Sequence, residues 1–153
     1  MITKLFKKTK KDKDKDKDKE IIDGNNLTKI TALLIHAAKI DDNYSQKEKE
    51  IIMDFLKSMD KNLDAENILR QAEKEEEDSN QILKYTQEIK KNTLKFKSMI
   101  IKVLWEIILS DNNLDAYESN LMRRICGLLH FPDKLSGEIK LELLKKKAHD
   151  VYS

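Results

Sequence analysis

Two segments of the chain, seventy residues apart, repeat one acidic pattern. The first is Asp-Asp-Asn-Tyr-Ser-Gln-Lys-Glu at 41–48, and the second is Asp-Asn-Asn-Leu-Asp-Ala-Tyr-Glu at 111–118. We call them the first and the second acidic turn. The flanking apolar runs correspond at the same offset, with Leu33, Ile52 and Phe55 matching Val103, Met122 and Ile125. Because an internal repeat restricts the possible folds early, we predict a duplicated unit of helix, acidic turn and helix.

The spacing of apolar residues predicts an all-α fold. The 153 residues are enough for one domain with its own core, and the presence of only 3 Gly and 1 Pro favours long helices with tight connections. About seven runs follow the helical period, whereas no stretch alternates with a period of two. We therefore predict a compact bundle of about seven helices. Residues 99–109 are apolar except for Lys102 and Glu106, so this helix should be central, with Trp105 as a core anchor.

The charge distribution divides the chain into an arm, residues 1–24, and a helical domain, residues 25–150. Residues 1–20 contain nine Lys and five acidic residues, which leaves 21 basic and 23 acidic residues in 21–153. Lys and Asp alternate over 11–19, a pattern typical of a disordered segment. We expect no nucleic-acid binding by the mildly acidic domain. A few hydrophobic residues in the arm would allow weak contact with an anionic membrane surface.

Cysteine and histidine usage argues against secretion and against catalysis. The single Cys126 cannot form an intramolecular disulfide, and the first residues do not have the pattern of a secretory signal, so we expect a cytoplasmic protein. Cys126 lies in an apolar run, where a buried, inert thiol is expected. The three His show no metal-binding spacing, and His36 is expected to be an interior or boundary histidine. We predict no enzymatic activity; a hydrolase using Glu48 and Glu118 is the alternative.

Helix capping explains half of each acidic turn. Ser45 and Glu48 have the spacing of a capping box, in which the hydroxyl accepts from the backbone of the third helical residue and the glutamate binds the cap amide. Asp115 and Glu118 have the same spacing. A purely structural role is therefore available to all four residues.

The other half of each turn is not explained by capping. Asp41 and Asp111 follow helical runs, and the helix dipole disfavours a negative charge at the end of a helix. Both turns carry side-chain oxygens at relative positions 1, 3 and 5, as at the start of a Ca²⁺-binding loop. Position 6 is not Gly and position 12 is not Glu, so neither turn is an EF-hand.

The functional hypothesis is a smaller cation site, which the two turns would share if the repeats pack side by side. The competing hypothesis is that both turns only cap helices. The candidate cofactor is Ca²⁺ or another divalent cation. The candidate metal-binding residues are Asp41, Asn43, Glu48, Asp111, Asn113, Asp115 and Glu118.

The repeated pattern D-[DGN]-x-h-[SD]-x-x-E resembles the TerB family of tellurite resistance proteins over about residues 27–135. The run Leu-Trp-Glu-Ile-Ile-Leu-Ser-Asp at 104–111 and the run Met-Arg-Arg-Ile-Cys-Gly-Leu-Leu at 122–129 add to this resemblance. Asp42 and Asn112 depart from it, since the family has Gly there.

The resemblance implies a compact helical domain in a cytoplasmic bacterial protein. It also implies a link to tellurite or other stress responses, and metal binding by the acidic turns. By matching positions, the family's acidic residues are Asp41, Glu48, Asp111 and Glu118. Tellurite is not implied as a ligand, because an anion would be repelled by these turns. A related domain forms the N-terminal part of some J-domain co-chaperones. The alternative is a metal-independent module that binds a protein partner or forms a homodimer.

Overall fold

Helices account for almost all of the chain that the computed structural model describes, which is residues 24–40, 44–79, 81–110 and 116–152. Within these ranges there are seven helices and no strand, which confirms the all-α prediction. The helices are α1 (Gly24–Ala38), α2 (Gln46–Met59), α3 (Ala65–Ser79), α4 (Ile82–Lys90), α5 (Leu94–Leu109), α6 (Ala116–Leu129) and α7 (Asp133–Tyr152). Residues 1–23 of the predicted arm lie outside the described residues. No helix among the described residues is long and apolar enough to cross a membrane.

The internal repeat is longer than the sequence pattern predicted. The helices α1 and α5 begin seventy residues apart, and so do α2 and α6. The helices α3 and α7 occupy the corresponding third place, so each repeat contains three helices. The short helix α4 connects the two repeats and has no counterpart. The prediction of a duplicated unit of helix, turn and helix is therefore confirmed and extended by one helix.

The core is built around α1 and α5, the equivalent first helices of the two repeats. They contact each other, and α5 also contacts α2, α4, α6 and α7. Thr93 caps α5, since its hydroxyl accepts a hydrogen bond from the Phe96 amide at 3.1 Å. Every α5 residue from 100 to 109 is buried except Lys102 and Glu106, so the predicted central position of this helix is confirmed.

Trp105 anchors the third helix of the second repeat to this core. The indole is 5% exposed, and its Nε1 donates a hydrogen bond to the Ser136 hydroxyl of α7 at 3.0 Å. The Lys140 ammonium lies 5.0 Å from the ring centre, within the range of a cation–π contact. The prediction of a core anchor is confirmed.

Cys126 is buried in α6, as predicted. Burial raises the pKa of its thiol, because the charged thiolate is poorly solvated there.

Some apolar residues of the amphipathic runs lie outside the core. Leu83, Leu141 and Leu144 are exposed, as is Leu94 at the start of α5. In α4 the inward stripe is Ile82, Tyr85, Thr86 and Ile89, and Leu83 lies beside it. Apolar character alone therefore does not place a residue on the buried face of its helix.

Candidate site at the acidic turns

The first acidic turn begins α2 with a complete capping box. Glu48 Oε1 accepts hydrogen bonds from the Ser45 amide at 2.7 Å and from the Ser45 hydroxyl at 3.1 Å. In return, the Glu48 amide donates to Ser45 Oγ at 3.3 Å. The glutamate is only 4% exposed. The capping prediction for Ser45 and Glu48 is confirmed, and one oxygen of this carboxylate already serves the helix.

Glu118 occupies the equivalent place in the second repeat. It lies in the first turn of α6 and is 2% exposed. A buried carboxylate in the first helical turn is thus a common property of both repeats, and the positive end of the helix dipole favours it. Asp115, its predicted capping partner, lies outside the described residues. So do four further candidate metal-binding residues, Asp41, Asn43, Asp111 and Asn113.

One hydrogen bond links the first acidic turn to the end of α5, the helix that precedes the second acidic turn in the sequence. Lys47, in the first turn, donates from Nζ to the backbone carbonyl of Ser110 at 2.9 Å. Ser110 directly precedes Asp111, the first residue of the second turn. Lys147 of α7 donates to the neighbouring carbonyl of Leu109. Two ammonium groups therefore neutralise the negative end of the α5 dipole beside the second acidic turn.

A polar cluster that the sequence analysis did not predict lies at the end of α1, just before the first acidic turn. The Glu76 side chain from α3 is almost fully buried; it accepts a hydrogen bond from Lys39 Nζ at 2.8 Å, and its second oxygen lies 3.3 Å from His36 Nδ1. The hydrogen bond to Glu76 raises the pKa of Lys39. These three side chains, with Ile40 and Glu77, line a surface cleft of ≈ 430 Å³. The expectation of a boundary histidine at His36 is confirmed.

The position of Glu76 could have been found in the sequence. Ile68, Ala72 and Glu76 are spaced by four residues, so Glu76 continues the buried stripe of α3. The acidic composition of the surrounding run conceals this spacing. Lys47 and Lys147 carry no such signal, because their long side chains find partners far away in the sequence.

Tyr44 links the first acidic turn to α3. Its hydroxyl donates to Glu73 Oε2 at 2.9 Å, and the Lys49 ammonium lies 3.7 Å from the same oxygen and 4.9 Å from the centre of the Tyr44 ring. Burial, and then the hydrogen bond to Glu73, raise the pKa of the Tyr44 phenol far above its ordinary value. The neutral phenol is the form that the fold stabilises.

This raised pKa predicts an alkaline loss of stability that depends on Tyr44. Above a pH of about 10 the phenol of the unfolded chain ionises, whereas the folded protein holds the proton, so the stabilisation present below that pH is lost as the pH rises. Tyr44→Phe should cost about 1 kcal/mol at pH 7.5 through the lost hydrogen bond, and less at pH 10.5. Urea denaturation of both proteins at the two pH values measures this difference.

The other tyrosine with a raised pKa does not affect the comparison between the wild type and Tyr44→Phe. Tyr85, whose phenol pKa is also raised by burial, is present in both proteins and cancels in the difference. An equal cost of Tyr44→Phe at the two pH values would contradict the assignment.

The described residues contribute only part of any cation site. Among them, no three His, Cys, Asp or Glu side chains are arranged to hold a metal ion. They supply two buried carboxylates, Glu48 and Glu118, and the ammonium of Lys47 at the neighbouring helix end. Oxygen donors of this kind suit Ca²⁺ or Mg²⁺, whereas the ammonium opposes a metal ion, so the fit depends on the remaining residues of the two turns.

The fold and the two turns define a class: an all-α protein made of two three-helix repeats, each with an acidic turn between its first and second helix. A comparison with models of protein families matches residues 27–141 to tellurite resistance protein TerB. The match covers most of the chain, including both acidic turns, and the chain belongs to the TerB family. No curated protein and no solved structure matches it. Family membership confirms the resemblance found in the sequence, while the relation to J-domain co-chaperones stays a prediction.

Proposed function

We propose that this chain is a non-enzymatic, cytoplasmic domain of a bacterial tellurite or stress response, and that its two acidic turns together bind one divalent cation. The hydrogen bond of 2.9 Å between Lys47 Nζ and the Ser110 carbonyl supports this proposal, because it links the first turn to the residue that directly precedes the second, seventy residues further along the sequence. A single turn holds too few oxygens for tight Ca²⁺ binding, which takes six to eight, so two neighbouring turns are a more suitable site.

The cation ligands are best sought among the residues that capping does not use. Since Glu48 Oε1 accepts two hydrogen bonds from Ser45, we assign to Glu48 a structural role, the capping of the N-terminus of α2. We assign the same capping role, at the N-terminus of α6, to the equivalent Glu118 and its predicted partner Asp115. The proposed primary ligands are then Asp41, Asn43, Asp111 and Asn113.

Titration with calcium chloride and with magnesium chloride tests the proposal. Millimolar ion should raise the melting temperature of the wild-type protein by about 3–5 °C, since a ligand at ten times its Kd adds roughly 1.4 kcal/mol of stability. Calorimetry should report one ion per chain. The double variant Asp41→Asn/Asp111→Asn should lose both signals, because it removes two charges without removing the side chains.

Asp54→Asn is the matched control. Asp54 is an exposed carboxylate on α2, and its loss should leave the ion-induced shift unchanged. No shift of the wild-type protein with 10 mM of either ion would overturn the proposal.

A metal-independent interaction module is the second candidate. The exposed side chains of Leu83, Leu94, Leu141 and Leu144 favour it, since exposed apolar side chains can mark contacts with a partner or a second copy. Sedimentation of the same protein separates the two: a dimer that forms equally in chelator and in calcium supports the module.

A further inference from the structure

The helix α7 carries apolar residues on two faces. Its inner face packs against the core, and its residues there are Leu135, Ile139 and Leu143. A second set is spaced by four, three and four residues, the spacing that lets one helix pack along another in a coiled coil. We call this set the outer seam; it consists of Gly137, Leu141, Leu144 and Ala148. At 100° per residue, the outer seam points roughly 140° away from the inner face.

The outer seam is open to solvent along its length. The side chain of Leu141 is 57% exposed and that of Leu144 is 38% exposed. Ala148 is exposed as well, and a methyl group placed on Gly137 would meet no other part of the fold within 4 Å. The chain therefore presents an apolar helix face without a partner among the described residues.

The contacts that hold α7 in place leave this face free. The Trp105 indole donates to the Ser136 hydroxyl at 3.0 Å, and the Lys140 ammonium lies over the same indole ring. Lys147 donates to the Leu109 carbonyl at the end of α5. A helix that is already formed and fixed to the core loses little conformational freedom when another surface binds it, so the outer seam is suited to docking.

The charges beside the outer seam are self-complementary. Glu138 and Lys145 directly follow Gly137 and Leu144, so both lie on the same side of the seam. Both are exposed, and no ion pair among the described residues involves either of them. When two copies of α7 lie antiparallel with Leu141 of each against Leu144 of the other, Glu138 of each copy faces Lys145 of the other. The contact then contains two ion pairs related by a two-fold axis.

We propose that the outer seam of α7 binds the outer seam of a second copy of this chain, as an antiparallel pair with two-fold symmetry. The parallel arrangement is disfavoured, because it would place Asp133 against Glu138 and Lys140 against Lys145, which are pairs of like charge. A face that fits its own copy in one orientation is typical of a symmetric dimer. This inference deepens the interaction-module candidate and does not depend on the cation site.

The contact is short and should be weak. The outer seam extends over about 16 Å of helix, which places the interface at the small end of specific contacts. On the other side of the seam, the antiparallel pair brings Lys140 towards Lys147 of the second copy. This repulsion is limited because both ammonium groups are held by α5. We expect a dissociation constant on the order of 10–100 μM.

Sedimentation of the full chain over a concentration range from about 5 to about 500 μM tests the dimer. Leu141→Ala/Leu144→Ala should weaken dimerisation roughly tenfold or more, because it removes the apolar centre of the contact from both copies. The matched control is Leu83→Ala/Leu94→Ala, since these leucines are 55% and 52% exposed on other helices. The control should dimerise within about twofold of the wild type. Circular dichroism verifies that each variant is folded.

Charge exchange tests the antiparallel arrangement. Glu138→Lys and Lys145→Glu should each weaken dimerisation roughly tenfold, because each variant places like charges opposite one another twice. An equal mixture of the two variants should form a mixed dimer with about the affinity of the wild type, since every charge then faces its opposite. The double variant Glu138→Lys/Lys145→Glu should restore the symmetric dimer.

The outcomes separate this dimer from the other proposals. A wild type that stays monomeric at about 500 μM overturns it, and the calcium titration still decides the cation site. A dimer that is kept in Leu141→Ala/Leu144→Ala, or lost in Leu83→Ala/Leu94→Ala, also overturns it, and the interaction module then uses another surface. If the two charge variants do not pair with each other, the antiparallel seam is wrong.

Discussion

Leu104→Ala should lower the free energy of unfolding by about 3 kcal/mol and the melting temperature by roughly 6–12 °C. Leu104 is 0% exposed and lies on α5, the helix that joins both repeats. Truncation removes buried methyl groups and leaves a cavity, because the helices packed around α5 cannot all close on it. Urea denaturation followed by the fluorescence of Trp105, the single Trp of the chain, measures the loss.

Leu94→Ala is the matched control for this effect. Leu94 is on the same helix and is 52% exposed, so the same chemical change should cost no more than about 0.5 kcal/mol. Equal losses for the two variants would mean that α5 is not the centre of the core.

Glu48→Ala should cost about 2 kcal/mol, the second largest effect that we expect. The variant removes the acceptor of the Ser45 amide and leaves that donor at a partly buried helix start. Glu48→Gln should cost less than about 1 kcal/mol, because a glutamine oxygen can take the same place in a capping box. The difference between the two variants, measured by urea denaturation, separates the hydrogen bond from the charge.

Glu50→Ala controls for the loss of a carboxylate near the start of α2. Glu50 is exposed, and its replacement should change the stability by no more than about 0.5 kcal/mol. If Glu48→Gln is as costly as Glu48→Ala, the negative charge of Glu48 stabilises the fold beyond the hydrogen bond, as its place at the positive end of the α2 dipole would explain.

The sequence predicted those features that depend on the spacing of neighbouring residues. Helical periodicity located α5 and its central position, and the spacing of Ser45 and Glu48 predicted their capping box, because both follow from the geometry of one helix. The offset of seventy residues predicted the duplication. The third helix of each repeat was not included, since α3 is acidic where α7 is rich in Lys and the two sequences share little pattern.

The contacts that connect helices could not be predicted in this way. Lys47 and Lys147 reach carbonyl groups 63 and 38 residues away, and a long flexible side chain leaves no periodic trace of its partner. Glu76 is an intermediate case, because its spacing on α3 marks it as inward but does not identify Lys39 and His36. The sharing of one site between the two turns was predicted only on the condition that the repeats pack side by side, and it stays a prediction because residues 41–43 and 111–115 lie outside the described residues.

The unrepeated helix α4 determines how the two repeats behave as a folding unit. It contacts α1 of the first repeat and α6 of the second, and α1 and α5 contact each other as well. Neither repeat can bury its apolar faces alone, so the chain must close long loops before its core becomes stable. Opening one repeat exposes core that belongs to the other, so we expect opening of the core helices to cost close to the free energy of global unfolding. A domain assembled from two copies is therefore a single cooperative unit, and a ligand that stabilises one junction protects both halves.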